Sequence, residues 1–215
     1  MELDAAALAA ARSVRKDESM VDPLPDARGI DRPSPWVARF APLVPTGGVV
    51  LDVACGGGRH SLFFLRRGHD VVAVDRDLKR LGDMLDCQRL RAMEVDLEDG
   101  QPFPLRGQHF GAVVVTNYLY RPILGDLVSA VQPGGILIYE TFAVGNQRFR
   151  GPSHPDYLLR PGELLEVVHG ELRVVGFEDV VVDYPRPKVV QRIAAVREVT
   201  ESSAADERTR AIADR

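Results

Sequence analysis

Three aspartates lie in or at the end of short apolar runs: Asp52 within VVLDVA, Asp75 closing VVAVD and Asp96 closing AMEVD. Between the first two lies LDVACGGGRH, from Leu51 to His60. Glycines after an apolar run let the backbone approach a ligand closely, and a helix starting there offers unpaired N–H groups to a polar or anionic group. Asp75 follows Asp52 by 75 − 52 = 23 positions, where an acid is suited to holding ribose hydroxyls. Asp96 can accept from an adenine amino group. These marks fit a nucleotide. A dinucleotide fingerprint needs GxGxxG; Gly56 and Gly58 match its first two places, but Ser61 occupies the last. A carboxylate at Asp52 is awkward beside a pyrophosphate and suits a ligand with an amine or a cationic centre. A second polar set, TNYLYRP from Thr116 to Pro122, ends the run GAVVV, and a third, Tyr139 to Phe142, ends ILIY.

Those residues need strands to carry them. Valine-rich runs start near Val49, Val71, Leu90, Ala112 and Ile136. Near-continuous apolar runs are what doubly buried parallel strands look like. His60 to Arg67 reads as a helix capped by Gly68, Leu78 to Leu85 as a helix with Leu78, Leu81 and Leu85 on one stripe, and Ile123 to Val131 as a third. Glu98 to His109 contains Pro102 and Pro104 and predicts a loop. Leu172 to Val182 and Val189 to Val199 are strand-like and joined by DYPRPK, too short for a parallel crossover, so they pair antiparallel. The expectation is an α/β fold: a Rossmann-like seven-stranded sheet, mostly parallel with an antiparallel last strand, and helices on both faces.

LDVACGGGRH, VVAVDRD, MEVDLEDGQPFPLRGQHFGAVVV and LVSAVQPGGILIYETF, in that order, resemble the successive motifs of class I S-adenosylmethionine-dependent methyltransferases. The resemblance runs from about Trp36 to Arg197, and within the family it is nearest to small bacterial members of the tellurite-resistance-like kind, which methylate small molecules. It implies S-adenosyl-L-methionine as cofactor and a small-molecule partner. Asp52, Ala54, Cys55, Gly56 and Gly58 would then surround the methionine part, Asp75 the ribose, Asp96 and the N–H of Leu97 the adenine, with Arg76 flanking it and Asn117 near the methyl. Ala54 stands where many members have the first loop glycine, and Gly111 where an Asp often stands. The alternatives are an NAD(P)-dependent Rossmann oxidoreductase and a domain that binds the cofactor without catalysis.

In open α/β sheets, ligands bind beyond the carboxyl ends of the strands. Tyr118, Tyr120, Arg121 and Arg148 are therefore candidates to hold substrate, and Tyr118, Glu140 and His154 candidates for catalysis. Asn117 and Tyr120 share the Asn-x-x-Tyr spacing of the NPPY-type tetrapeptide of amino-methylating nucleic-acid enzymes, but Tyr118-Leu119 replaces the two prolines that set its geometry. Ala143 to Pro161 reads as a lid, with Asn146 and Tyr157 also facing substrate. Each residue has a plainer role open to it. Asp52 could cap the glycine turn, Cys55 could simply pack, and His60 could be a neutral surface or contact residue.

Composition narrows the classes. The 215 residues carry a formal net charge of −4 with 45% hydrophobic residues, so no global basic field draws nucleic acid. Two cysteines make no disulfide framework, and no Cys/His cluster has metal spacing. No apolar run approaches the ~20 residues of a membrane span, and the N-terminus has acids where a signal peptide has bases. The chain reads as cytoplasmic, with no membrane or metal partner. It divides into an N-terminal extension (1–30), a catalytic domain (31–199) and a polar tail (200–215).

Overall fold

The computed structural model describes residues 32–149, 151–183 and 186–199. The N-terminal extension and the tail lie outside the described residues. Seven strands form one sheet: β1 (Val50–Val53), β2 (Val71–Asp75), β3 (Leu90–Glu94), β4 (Phe110–Thr116), β5 (Val131–Phe142), β6 (Arg173–Val182) and β7 (Lys188–Val196). Their order is β3-β2-β1-β4-β5-β7-β6. Pairings among β1 to β5 are parallel, and β7 runs antiparallel to both β5 and β6. The seven-stranded, mostly parallel sheet with an antiparallel last strand is as expected; its strand order is read from the structure.

Strand alternation builds two cores. Leu51, Val53, Val72, Val74, Val113, Val115, Leu137 and Tyr139 face one side and pack against α3 (Leu124–Ser129) and α4 (Glu163–Val168). Val50, Val71, Ala73, Ala112, Val114, Ile136 and Ile138 face the other, against α1 (Pro35–Phe40) and α2 (Arg59–Leu65). Every residue of β1 is buried, as a central strand covered on both faces must be.

The crossover from β3 to β4 contains no helix, as its prolines predict. Phe103 and Leu105, 4% and 1% exposed, drop into the core in a helix's place. The expected helix over Leu78–Leu85 is corrected. Lys79–Asp86 is a pair of 3-10 turns broken at Gly82 (φ 52, ψ −130), a backbone conformation open to glycine. The break turns the stripe, so that Leu81 and Met84 are buried and Leu85 faces solvent. Among the described residues, no helix is long and apolar enough to cross a membrane.

Candidate active site

The parallel strands β1 to β5 all point their carboxyl ends the same way, so Ala54, Asp75, Val95 and Tyr118 collect at one rim. There they line a cleft of about 520 Å³ with Gly56, Arg76, Asp77, Arg80, Asp96, Leu97, Glu98 and Tyr157. Of the ten expected cofactor residues, six line it: Ala54, Gly56, Asp75, Arg76, Asp96 and Leu97; Asp52, Cys55, Gly58 and Asn117 do not.

The loop after β1 is shaped by its backbone. Gly56 and Gly58 have φ of 56° and 72°, and Ala54 shares the left-handed region at 52°. A Cβ on Gly58 would stand 2.3 Å from Met84 Cε and 2.6 Å from Leu81 Cδ2. Gly58 is therefore needed for close packing under the 3-10 turns, while Gly56 lies toward the cleft. Among the described residues Asn117, at the tip of adjacent β4, is the other non-glycine residue with positive φ, at 55°. Each costs about 1–2 kcal/mol, less for asparagine.

The acids divide. Asp75 Oδ2 accepts from Gly56 N–H at 2.8 Å and Oδ1 from Asp77 N–H at 3.1 Å, which orients its carboxylate in the cleft. Asp96 is exposed in the cleft, its Oδ1 accepting from Glu98 N–H at 2.9 Å. The N–H of Leu97 donates to no backbone carbonyl among the described residues. Asp52 lies elsewhere. It is 1% exposed, and its Oδ2 accepts from Ser61 N–H at 2.9 Å and Ser61 Oγ–H at 2.6 Å. Burial pushes its pKa up to about 6 against the pull of those two bonds and of Arg59. The carboxylate thus ties β1 to the first turn of α2.

Cys55 and His60 are built into the core. Burial, then the nearby Asp52 and Asp75 charges, push the Cys55 thiol well above its ordinary range, so it packs rather than reacts. His60 is 2% exposed, so of the two plain roles open to it, surface or contact, it takes the contact one. Its Nε2 accepts from Ser34 N–H at 3.1 Å, and burial together with Arg59 lowers its pKa to about 3. It is neutral.

The candidates beyond the cofactor loop fare differently. Tyr118 lines the cleft, and its buried hydroxyl has no hydrogen-bond partner in regular geometry. Burial and then the Glu98 and Asp96 charges raise its pKa, so the hydroxyl stays protonated. Tyr157 reaches the cleft from the 143–161 segment. Tyr120 packs against the core. Arg121 is corrected as a free anion receptor. Its Nε and Nη2 hold both oxygens of Glu163 at 2.7 and 2.9 Å, and Nη1 and Nη2 donate to the carbonyls of Asp156 and Leu158.

Glu140 is likewise corrected as a catalytic candidate. It is 4% exposed, bonded by Ser34 Oγ–H and Arg192 and paired with Lys188 at 3.6 Å. His154 lies outside the cleft lining, exposed and 3.5 Å from Asp156. Arg148 is exposed over the Phe149 ring, also away from the cleft lining. Asn146 is fully buried, linking the Pro152 carbonyl to the N–H of Val189. Most of the expected lid is therefore pinned to β7 and α4, with Tyr157 as its contribution to the cleft.

Sequence reasoning missed Arg80, Asp77 and Glu98. Each sits in a charged stretch, DRDLKR or DLEDG, whose pattern reads as a solvated face. Only the fold shows which of those charges turn inward.

Residues 51–139 match a family model described as a methyltransferase domain. Among curated proteins, the chain is 33% identical over 102 residues to malonyl-[acyl-carrier protein] O-methyltransferase of Salmonella typhimurium, covering 45% of this chain and 40% of that protein. The match thus spans less than half the length of that relative. Among solved structures, TehB of Haemophilus influenzae superposes with a TM-score of 0.60 at 16% identity, covering 76% of this chain and 61% of that one. A TehB-like SAM-dependent methyltransferase of Corynebacterium glutamicum gives 0.52 at 20% identity, with 76% and 87% covered.

Proposed function

We propose, from the match of residues 51–139 to the methyltransferase-domain family model, that the chain is an S-adenosylmethionine-dependent methyltransferase acting on a small-molecule acceptor. The observation that carries the reading is the convergence of Asp75, Asp96, Leu97 and the Ala54–Gly56 turn on one cleft.

The residues present fit the cofactor. Asp75, oriented by two backbone N–H groups, is the acceptor for a ribose diol. Asp96 with the unpartnered N–H of Leu97 matches an adenine edge, which offers one donor and one acceptor. Four acids in the cleft against two arginines suit a ligand with cationic character. When bound, S-adenosylmethionine supplies an electrophilic methyl on its sulfonium, and the protein supplies position and electrostatics. Asp52 contributes by fixing the turn before α2 rather than by lining the cleft.

The cleft's size is within the range of small-molecule sites and suits the cofactor; Tyr118 and Tyr157, which also line it, are the side chains placed to meet an acceptor. None of the three catalytic candidates serves as a general base in this geometry: the Tyr118 hydroxyl keeps its proton, and Glu140 and His154 are engaged elsewhere. An acceptor that attacks as an anion, such as a thiolate, requires none.

Calorimetry with S-adenosylmethionine, S-adenosylhomocysteine and NADH tests the cofactor, with NADH binding alone overturning the reading. A panel of thiol, hydroxyl, amine and metalloid acceptors, scored by S-adenosylhomocysteine release, tests the acceptor. Since the Salmonella relative is named for an acyl-carrier protein, a carrier-bound acyl group belongs in the panel. Turnover of that member alone would replace the small-molecule assignment.

A further inference from the structure

Arg80 has no role in the reading above, and its surroundings give it one. It lines the cleft from the 3-10 turns Lys79–Asp86. Its guanidinium lies along the glycine loop. A Cβ placed on Gly57 would stand 3.6 Å from Arg80 Nη2, and one on Gly56 3.9 Å from Nη1. The four acids that line the same cleft, Asp75, Asp77, Asp96 and Glu98, all lie beyond ion-pair distance of it: among the described residues Arg80 makes no salt bridge. Arg121, Arg192 and Arg197, by contrast, each hold a carboxylate.

We propose that Arg80 is the receptor for a ligand carboxylate at the glycine loop. The inference rests on the methyltransferase reading and deepens it. Planar guanidinium donors match a carboxylate in bidentate geometry. Leaving such a group without a partner beside several acids is consistent with a site completed by an anion from outside the chain. Two sources share that chemistry. One is the amino-acid end of the cofactor, since the loop that Arg80 covers is the one expected to surround the methionine part. The other is a carboxylate on the acceptor. The glycines matter here as absences: side chains at 56 and 57 would occupy the space beside the guanidinium.

The test compares wild type with Arg80→Met and Arg80→Lys. Calorimetry uses S-adenosylhomocysteine, which carries the carboxylate, and methylthioadenosine, which lacks the whole amino-acid end. Arg80→Met should bind S-adenosylhomocysteine at least 10-fold more weakly while changing less than 2-fold for methylthioadenosine, with Arg80→Lys in between. If the acceptor is the source, Arg80→Met leaves S-adenosylhomocysteine affinity intact and raises KM for acceptors bearing a carboxylate, but not for their amides. Equal losses for both adenosyl ligands, or no change in any of these readouts, overturn the inference while leaving the methyltransferase reading in place. A wild-type protein that binds neither adenosyl ligand overturns both. Arg80 is exposed, so the variants are not expected to unfold, and a thermal melt checks this.

Discussion

The two halves of the strand-tip rim carry similar polar residues and use them in opposite ways. Over β1 to β3, Asp75, Asp96, Arg76 and Arg80 open into the cleft, held at most by backbone N–H groups. Over β4, β5 and the 143–161 segment, charged and amide side chains are spent on other parts of the protein. Arg121 clasps Glu163, Glu140 joins Arg192 and Ser34, Asn146 joins β7, and Gln191 joins α4. A polar group at a strand tip must be satisfied, either by a ligand or by another segment of chain. The longer a segment crossing the rim, the more of those groups it claims. On the proposed reading the first half is the ligand site, and the second is chiefly a fastening.

The sharpest way to break this division is to cut the fastening. Glu163 is 3% exposed on its side chain and receives Arg121 and the N–H of Arg160. Burial alone would raise its pKa, but Arg121 and Arg160 outweigh burial and hold it below the ordinary value. Glu163→Ala should cost about 3–4 kcal/mol of stability, because it strands a partly buried guanidinium, with S-adenosylhomocysteine affinity nearly unchanged. Urea denaturation beside calorimetry reads both. A large loss of affinity without loss of stability would show that the second half is also a ligand site.

Asp52 and Glu163 should respond to pH with opposite sign. The folded pKa of Asp52 is raised from 3.8 to about 6. Between those values the folded state binds more protons than the unfolded chain, so its contribution falls as pH rises. A shift of that size amounts to about 3 kcal/mol. Glu163, with its folded pKa lowered from 4.5, contributes stability above its unfolded value and loses it as pH falls. Urea titrations from pH 4 to 7 should show Asp52→Asn gaining on wild type as pH rises. Parallel curves would mean that Asp52 is not the buried charge described above.

In the first half the effects should fall on ligand affinity. Asp75→Ala should weaken S-adenosylhomocysteine binding about 100-fold, the value of a charge-assisted pair of hydrogen bonds to a diol, at a cost of about 1 kcal/mol in stability. A loss below 3-fold would remove Asp75 from the ribose. The smallest effect belongs to His154. It is exposed and outside the cleft lining, so His154→Ala should change stability by less than about 0.5 kcal/mol and turnover by less than 2-fold.

What could be read in the sequence follows the same line. The parallel strands and the antiparallel close were legible because valine-rich runs and a short DYPRPK linker leave few arrangements, whereas the order of strands across the sheet comes from the structure. The first half of the rim was legible because a glycine turn and strand-end acids occur in fixed order along the chain. Arg121 and Glu140 were not, because their partners Glu163 and Arg192 lie 42 and 52 residues away and nothing local announces them. Arg80 was hidden by the helix pattern expected at Leu78–Leu85, which Gly82 breaks.

The place of β7 has a consequence for how the chain is made. It lies between β5 and β6, although it leaves the ribosome after both. Until Lys188–Val196 emerges, β5 presents an open edge of buried-type residues, and β6 has no strand to join. An unpaired apolar edge is a template for the wrong partner. Synthesis halted before β7 would therefore release nearly the whole cleft, with Asp75 and Asp96 in place on their strands, in a form prone to aggregate.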